Sequence, residues 1–159
     1  MIHSKGRWPK AIEDSLWPCA LTMANNVINY TPNLRDQEKR SPASRFYSTT
    51  VEVNPKHWKP FGCPVYVLNE ALQSGNIYSK WKKRSRVGIY LGQSPKHGRN
   101  VALVLNLETG HVSPQFHVAF DNGFHTVKQE DFQSLWQVKT GFRRGATCLL
   151  YTSPSPRDA

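Results

Sequence analysis

From residue 61 to 121, turn-forming residues cut the chain into apolar segments too short to be helices, and this limits the fold more than any other feature. Pro60-Phe61-Gly62-Cys63 opens the region, and residues 64–68 (P-V-Y-V-L) are its first predicted strand. Residues 69–79 are polar, contain Gly75 and read as a loop. Val87, Ile89 and Leu91 then alternate with Gly88, Tyr90 and Gly92, the period of a second strand with one face lined by small residues. Ser94-Pro95 and Gly98 mark residues 93–100 as a turn, and residues 101–105, apolar on both faces, predict a central strand. Glu108-Thr109-Gly110 has the composition of a hairpin turn. Val112, Phe116, Val118 and Phe120 sit at even positions, with Pro114 marking a bulge or a break between two short strands. Four or five short strands joined by tight turns within about 60 residues favour a small closed or half-open barrel, since a sandwich needs more strands.

Helical pattern is confined to the region before these strands. At 159 residues there is room for one domain, or for one small domain with attached helices. The first ten residues are basic, with a turn at Trp8-Pro9. Asp14 and Ser15 can cap a helix over residues 16–30, and Pro18 fits only its first turn. Leu16, Trp17, Ala20, Met23, Ala24, Val27 and Ile28 recur along it at helical spacing, and Thr31-Pro32 ends it. No charged residue lies between Leu16 and Leu34, so this helix is expected to pack against a body larger than the rest of the chain offers. Residues 33–54 are polar and mixed in charge, a connector with a short helix from Ser41-Pro42 to Phe46. After Phe124 the pattern is lost. Residues 129–136 could form a short helix, whereas residues 148–159 are rich in Ser and Pro and lack any period. They read as translated adaptor sequence or as an ordinary disordered tail, and carry no weight in the fold.

Charge is distributed unevenly. Five cations and a Trp fall within residues 80–86, namely Lys80, Trp81, Lys82, Lys83, Arg84 and Arg86. Residues 71–107 hold no Asp or Glu, but add Lys96 and Arg99, so this block carries seven of the chain's ten net positive charges. An acid-free basic run leading into a strand points to a polyanion, DNA or another nucleic acid before any other. Such binding works by phosphate neutralisation with counterion release, and nothing in the run indicates base readout. Trp81 is more often the anchor of such a loop than a base-stacking platform, though it can serve as either. Whether Lys96, His97 and Arg99 extend the basic surface or point away from it depends on strand pairing.

Other chemistries find little support. Cys19, Cys63 and Cys148 are odd in number, widely spaced and without a C-x-x-C, which argues for buried free thiols rather than zinc or disulfides. The acids Glu13, Asp14, Glu108, Asp121, Glu130 and Asp131 lie at a helix cap, at turns and in the tail, where local capping accounts for them better than metal binding. His111 and His117, six apart, are expected on the solvent face of the last strand region. No apolar run approaches the ~18 residues of a membrane span, and the basic, polar start does not read as a signal peptide.

Together these residues resemble the integrase region of Ty1/copia-type retrotransposon polyproteins. The similarity is carried by Trp17-Pro18, Ala24-Asn25, Thr31-Pro32, Ser41-Pro42 and the run Phe61-Gly62-Cys63-Pro64-Val65-Tyr66-Val67. It continues through Lys80-Trp81, Arg84-Ser85-Arg86, Gly88-Ile89-Tyr90-Leu91-Gly92, Leu103-Val104-Leu105-Asn106, Phe116-His117-Val118 and Phe120-Asp121, covering residues 1 to about 142. The resemblance implies a mainly β fold with N-terminal helices: a small SH3-like barrel preceded by one or two helices left over from a truncated α/β catalytic core. On that reading residues 1–54 are core helices and connector, 55–124 the barrel, 125–147 a linker and 148–159 the tail. The family's core binds two divalent metal ions, Mg or Mn, through three carboxylates, and no position here inherits that role. Family members often carry a second acid after the position of Asp121, where this chain has Asn122.

The function so implied is non-catalytic, non-specific DNA binding in support of integration. The partners would be DNA or other nucleic acid, the catalytic core and self-association in an integrase assembly, in the nucleus or a cytoplasmic virus-like particle, without secretion or membrane contact. The alternative is an SH3-like module that binds protein through an aromatic groove of Tyr66, Tyr90 and Trp81.

Overall fold

Turn and cap chemistry divides the chain into nine main elements among the described residues, which in this computed structural model are 1–51, 55–75, 79–98 and 100–127. Four are helices: α1 (Ile2–Arg7), α2 (Trp17–Tyr30), α3 (Pro42–Phe46) and α4 (Glu70–Gln73). Five are strands: β1 (Pro64–Leu68), β2 (Ser85–Gln93), β3 (Ala102–Asn106), β4 (Val112–Gln115) and β5 (Val118–Phe120). All neighbouring strands run antiparallel, in the order β4-β3-β2-β1-β5. The domain is thus mainly β, an open five-stranded sheet with a few helices.

The sheet is strongly curled. Its edge strands β4 and β5 are separated by only Phe116 and His117. Three Cα steps of about 3.8 Å reach ~11 Å at most. The outer strands of a flat sheet of five would stand about 19 Å apart.

β2 lies at the centre, buried without a break from Gly88 to Gly92. Such burial on both faces demands small residues where another chain comes close. A Cβ on Gly88 would lie 2.4 Å from Val104 Cγ1 and 2.8 Å from the Leu105 carbonyl oxygen, so only Gly lets β3 approach here. The register slips between Tyr90 and Gly92, and Gly92 takes φ +132° at that bulge, where Met23 of α2 rests against it.

One apolar core joins the helical and β segments. Trp8, Ala11, Ile12 and Leu16 pack into the same cluster as Val65, Val67, Ile89, Tyr90 and Val104, and Phe124 and Val127 complete it. The Ser4 hydroxyl donates to the Phe61 carbonyl and ties α1 to the entry of β1. α2 buries no residue completely: Met23 and Val27 are half-buried, whereas Trp17, Leu21, Ala24 and Ile28 face solvent along one stripe. No described helix is long and apolar enough to cross a membrane.

Several expectations are corrected. The N-terminal turn at Trp8 follows a helix, α1, and Trp8 is buried. Asp14 does not cap α2; it pairs with Lys5 at 2.6 Å, and Leu16 occupies the cap position. The loop after β1 contains α4. β3 is an interior strand as expected, paired with both β2 and β4, although β2 is the middle strand of the five. Pro114 does not break the strand: it sits within β4 opposite Leu103, tolerated because β4 is an edge, and the break falls at Phe116-His117. His111 and His117 are exposed as expected but lie outside the strands. Cys63 is buried and free, but Cys19 is only half-buried. Ser41 does cap α3, accepting from the Ser44 amide at 3.2 Å. The expected helix at 129–136 and the tail lie outside the described residues, as does Cys148.

Candidate nucleic-acid interface

The sequence places its densest positive charge between β1 and β2, and backbone hydrogen bonds fix where that loop returns to the sheet. Asn69 is the clamp. Its amide N–H donates to the Arg84 carbonyl at 3.0 Å, and its side-chain Nδ2 donates to the Lys83 carbonyl at 2.6 Å. A turn closes just before, with the Lys82 amide donating to the Ser79 carbonyl at 3.1 Å. Lys82, Lys83 and Arg84 enter these bonds through main-chain atoms, so the clamp does not draw on their side chains.

Lys80, Lys82, Lys83 and Arg84 are all exposed. Arg86, the second residue of β2, is half-buried opposite Val67. Trp81 is 96% exposed, so the usual expectation of a loop anchor fails. An indole held in water at the middle of a cation run offers a flat apolar face beside phosphate-binding groups.

Lys96 is exposed in the turn after β2, where the Ser94 hydroxyl and His97 Nδ1 are 2.7 Å apart. Eight residue steps of about 3.3 Å separate the ends of β2, so this turn lies roughly 25 Å along the strand from the β1–β2 loop. Lys96 therefore does not join the cluster formed by Lys80, Lys82, Lys83, Arg84 and Arg86. Arg99 lies outside the described residues.

Near Lys96's end of β2 the fold makes a cleft of about 200 Å³ that the charge count did not single out. The short turn Pro55–His57 and the residues after it contribute Lys56, His57 and Lys59 to its lining. Phe116 and Phe120 line it as well. Lys59 Nζ donates to the Lys56 carbonyl at 2.9 Å and lies 5.7 Å from the centre of the Phe120 ring. Tyr90 packs edge-on against Phe120 with ring centres 5.3 Å apart. Residues 56–59 (K-H-W-K) carried a local signal, but these two aromatic residues come about sixty positions later.

The acids behave as turn and surface groups. Asp121 Oδ2 accepts from the Thr126 amide at 2.8 Å and the Thr126 hydroxyl at 2.7 Å, while Oδ1 accepts from the Gly123 amide at 3.2 Å. Desolvation alone would raise its pKa, but these donors and a bond from His125 outweigh it and hold the carboxyl below its ordinary value. Burial, then the Asp121 carboxylate, push the Cys63 thiol up to about 12, the value for an inert core thiol. Glu130 and Asp131 lie outside the described residues.

The aromatic groove expected of a protein-binding module does not form. Tyr66 stands opposite Val87, while Tyr90 is on the alternate face of β2 and buried, so the two do not share a surface. What the exposed groups can do is neutralise phosphates and stack. No protein-family model matches the chain, and neither does any curated protein or solved structure.

Proposed function

We propose that this chain binds nucleic acid without base specificity and without catalysis, through the cations of the β1–β2 loop, as the DNA-holding part of a Ty1/copia-type retrotransposon integrase. One observation carries the binding: Lys80, Lys82, Lys83 and Arg84 are exposed on a clamped loop in an acid-free stretch, with Trp81 projecting among them. The integrase assignment rests on the sequence resemblance. It gains support from the connectivity, in which a four-strand meander is followed by a last strand that returns beside the first and curls the sheet. That is the connectivity an SH3-like barrel requires.

The test is a fluorescence-anisotropy titration of the full chain with a labelled duplex across salt concentration. Tight binding at low salt that weakens steeply and linearly on a log–log plot supports the proposal. Affinity that ignores salt, or no binding at low salt, overturns it.

A further inference from the structure

We propose that the cleft between Lys56, Lys59 and Phe116 seats one unpaired nucleotide, making it a second, single-strand-selective site distinct from the β1–β2 loop. The inference rests on the nucleic-acid reading above and adds to it a strand preference and an address.

Size comes first. Pockets that enclose whole small ligands run to about 300–1,000 Å³. A cleft of about 200 Å³ instead takes part of a ligand, such as one flat ring with its substituents. Charge comes next. The described lining residues include Lys56, His57 and Lys59 and no carboxylate, a balance that favours an anion over a cation. Shape and polarity then narrow the class. Phe116 lines the cleft, is 60% exposed, and meets His117 in a T-shaped contact with ring centres 5.1 Å apart, so much of its ring is open to solvent. Gln93 and Asn100 bring carboxamides, which donate and accept as the edge of a base requires. Anionic backbone, flat ring and mixed hydrogen-bonding edge coincide in a nucleotide whose base has left its stack. In a duplex the bases are stacked on one another and cannot reach the Phe116 ring, so a double strand gains nothing from this cleft.

The experiment compares a labelled oligodeoxythymidine of about twelve nucleotides with a duplex of the same length. Phe116→Ala should weaken binding of the single strand about five- to 150-fold and leave the duplex within about twofold. Phe116→Trp, which keeps a ring, should retain single-strand affinity, and it keeps the test open if the alanine variant folds poorly. Lys56→Gln with Lys59→Gln should reduce the single-strand salt slope by about 1.4, at ~0.7 for each phosphate no longer neutralised.

Equal weakening for both probes, or none, would overturn the proposal. So would displacement of the strand by a polyglutamate peptide as readily as by unlabelled oligodeoxythymidine, because that would mark a general polyanion site. If the native chain binds neither probe at low salt, the proposed function itself fails. If it binds both and the Phe116 variants do not discriminate, only the cleft is refuted.

Discussion

The salt dependence of binding can be worked from the loop itself. Consider the triple substitution Lys82→Gln, Lys83→Gln and Arg84→Gln. The loop is anchored through main-chain atoms: the Lys83 and Arg84 carbonyls accept from Asn69, and the Lys82 amide donates to Ser79, so the exchange leaves the clamp in place. The side chains are exposed, and such surface changes cost within about 0.5 kcal/mol of stability. If all five cations of the run each neutralise one phosphate, log K falls with log salt at a slope of about −4.5. Raising salt from about 50 to about 200 mM then weakens native binding roughly 500-fold. With two phosphates still neutralised, the slope becomes about −1.8 and the same step costs roughly twelvefold. Anisotropy titrations at four or more salt concentrations resolve slopes this different. A control with Arg7, Arg35 and Arg45 changed to Gln removes the same charge from the net +10 but from elsewhere. It should keep the native slope. If the loop variant keeps the native slope, or if the control weakens as much, the loop is not the phosphate-binding element and the reasoning fails.

Three further expectations concern the scaffold. Gly88→Ala drives a methyl to 2.4 Å from Val104 and 2.8 Å from a main-chain oxygen that cannot swing away, so urea melts should show a loss of about 1–3 kcal/mol; native stability would refute the close approach. Cys63 should resist iodoacetamide at pH 8 in the folded chain while the half-buried Cys19 is modified first, as read by peptide mass mapping. Because the folded thiol value, about 12, lies above the unfolded value of about 8.5, its stabilising contribution is complete below that pH and falls as pH rises, by up to ~1.4 kcal/mol per unit. Asp121→Asn should cost about 1–2 kcal/mol at pH 7, where charge-assisted bonds from Thr126 and Gly123 are weakened. As the folded carboxyl value is lowered, that cost should hold above pH ~4 and vanish as pH falls through the folded value, a trend that matched melts at neutral and acid pH can check.

Local pattern made much of the sheet legible. β1 coincides with the predicted 64–68 segment, and the hairpin at Glu108–Gly110 forms as its residues demand, with Asn106 Oδ1 accepting from the Glu108 amide at 2.8 Å. Where pattern and fold part, the cause is shared: the deciding neighbour lies far away in sequence. Nothing near Trp8 announces that it will enter a core with Val65 and Val104, because that core exists only once the sheet has curled. Pro114 looks like a break until the strand order makes β4 an edge, where a missing N–H can face outward. The uncharged helix predicts a larger body to pack on. In the fold it spends one side on β2 and leaves Trp17, Leu21 and Ile28 in water, so its composition exceeds what this sheet covers.

The two basic features differ in the same way, and that difference bears on how they would act. The β1–β2 cations are contiguous in sequence, so a charge count finds them. They sit exposed on a loop clamped through its main chain, which suits a sequence-tolerant grip on phosphates. The cleft is assembled from residues 56–59, the end of β2 and the β4–β5 link, and no window of sequence contains it. Its parts are positioned by packing, with Phe120 held by Tyr90 inside and covered by Lys59 outside. A site built on packed elements can demand a shape, whereas the exposed loop offers charge and one unsupported ring, that of Trp81. The part of single-strand selectivity that depends on Phe116 should therefore reside in the cleft, while salt sensitivity should follow the loop.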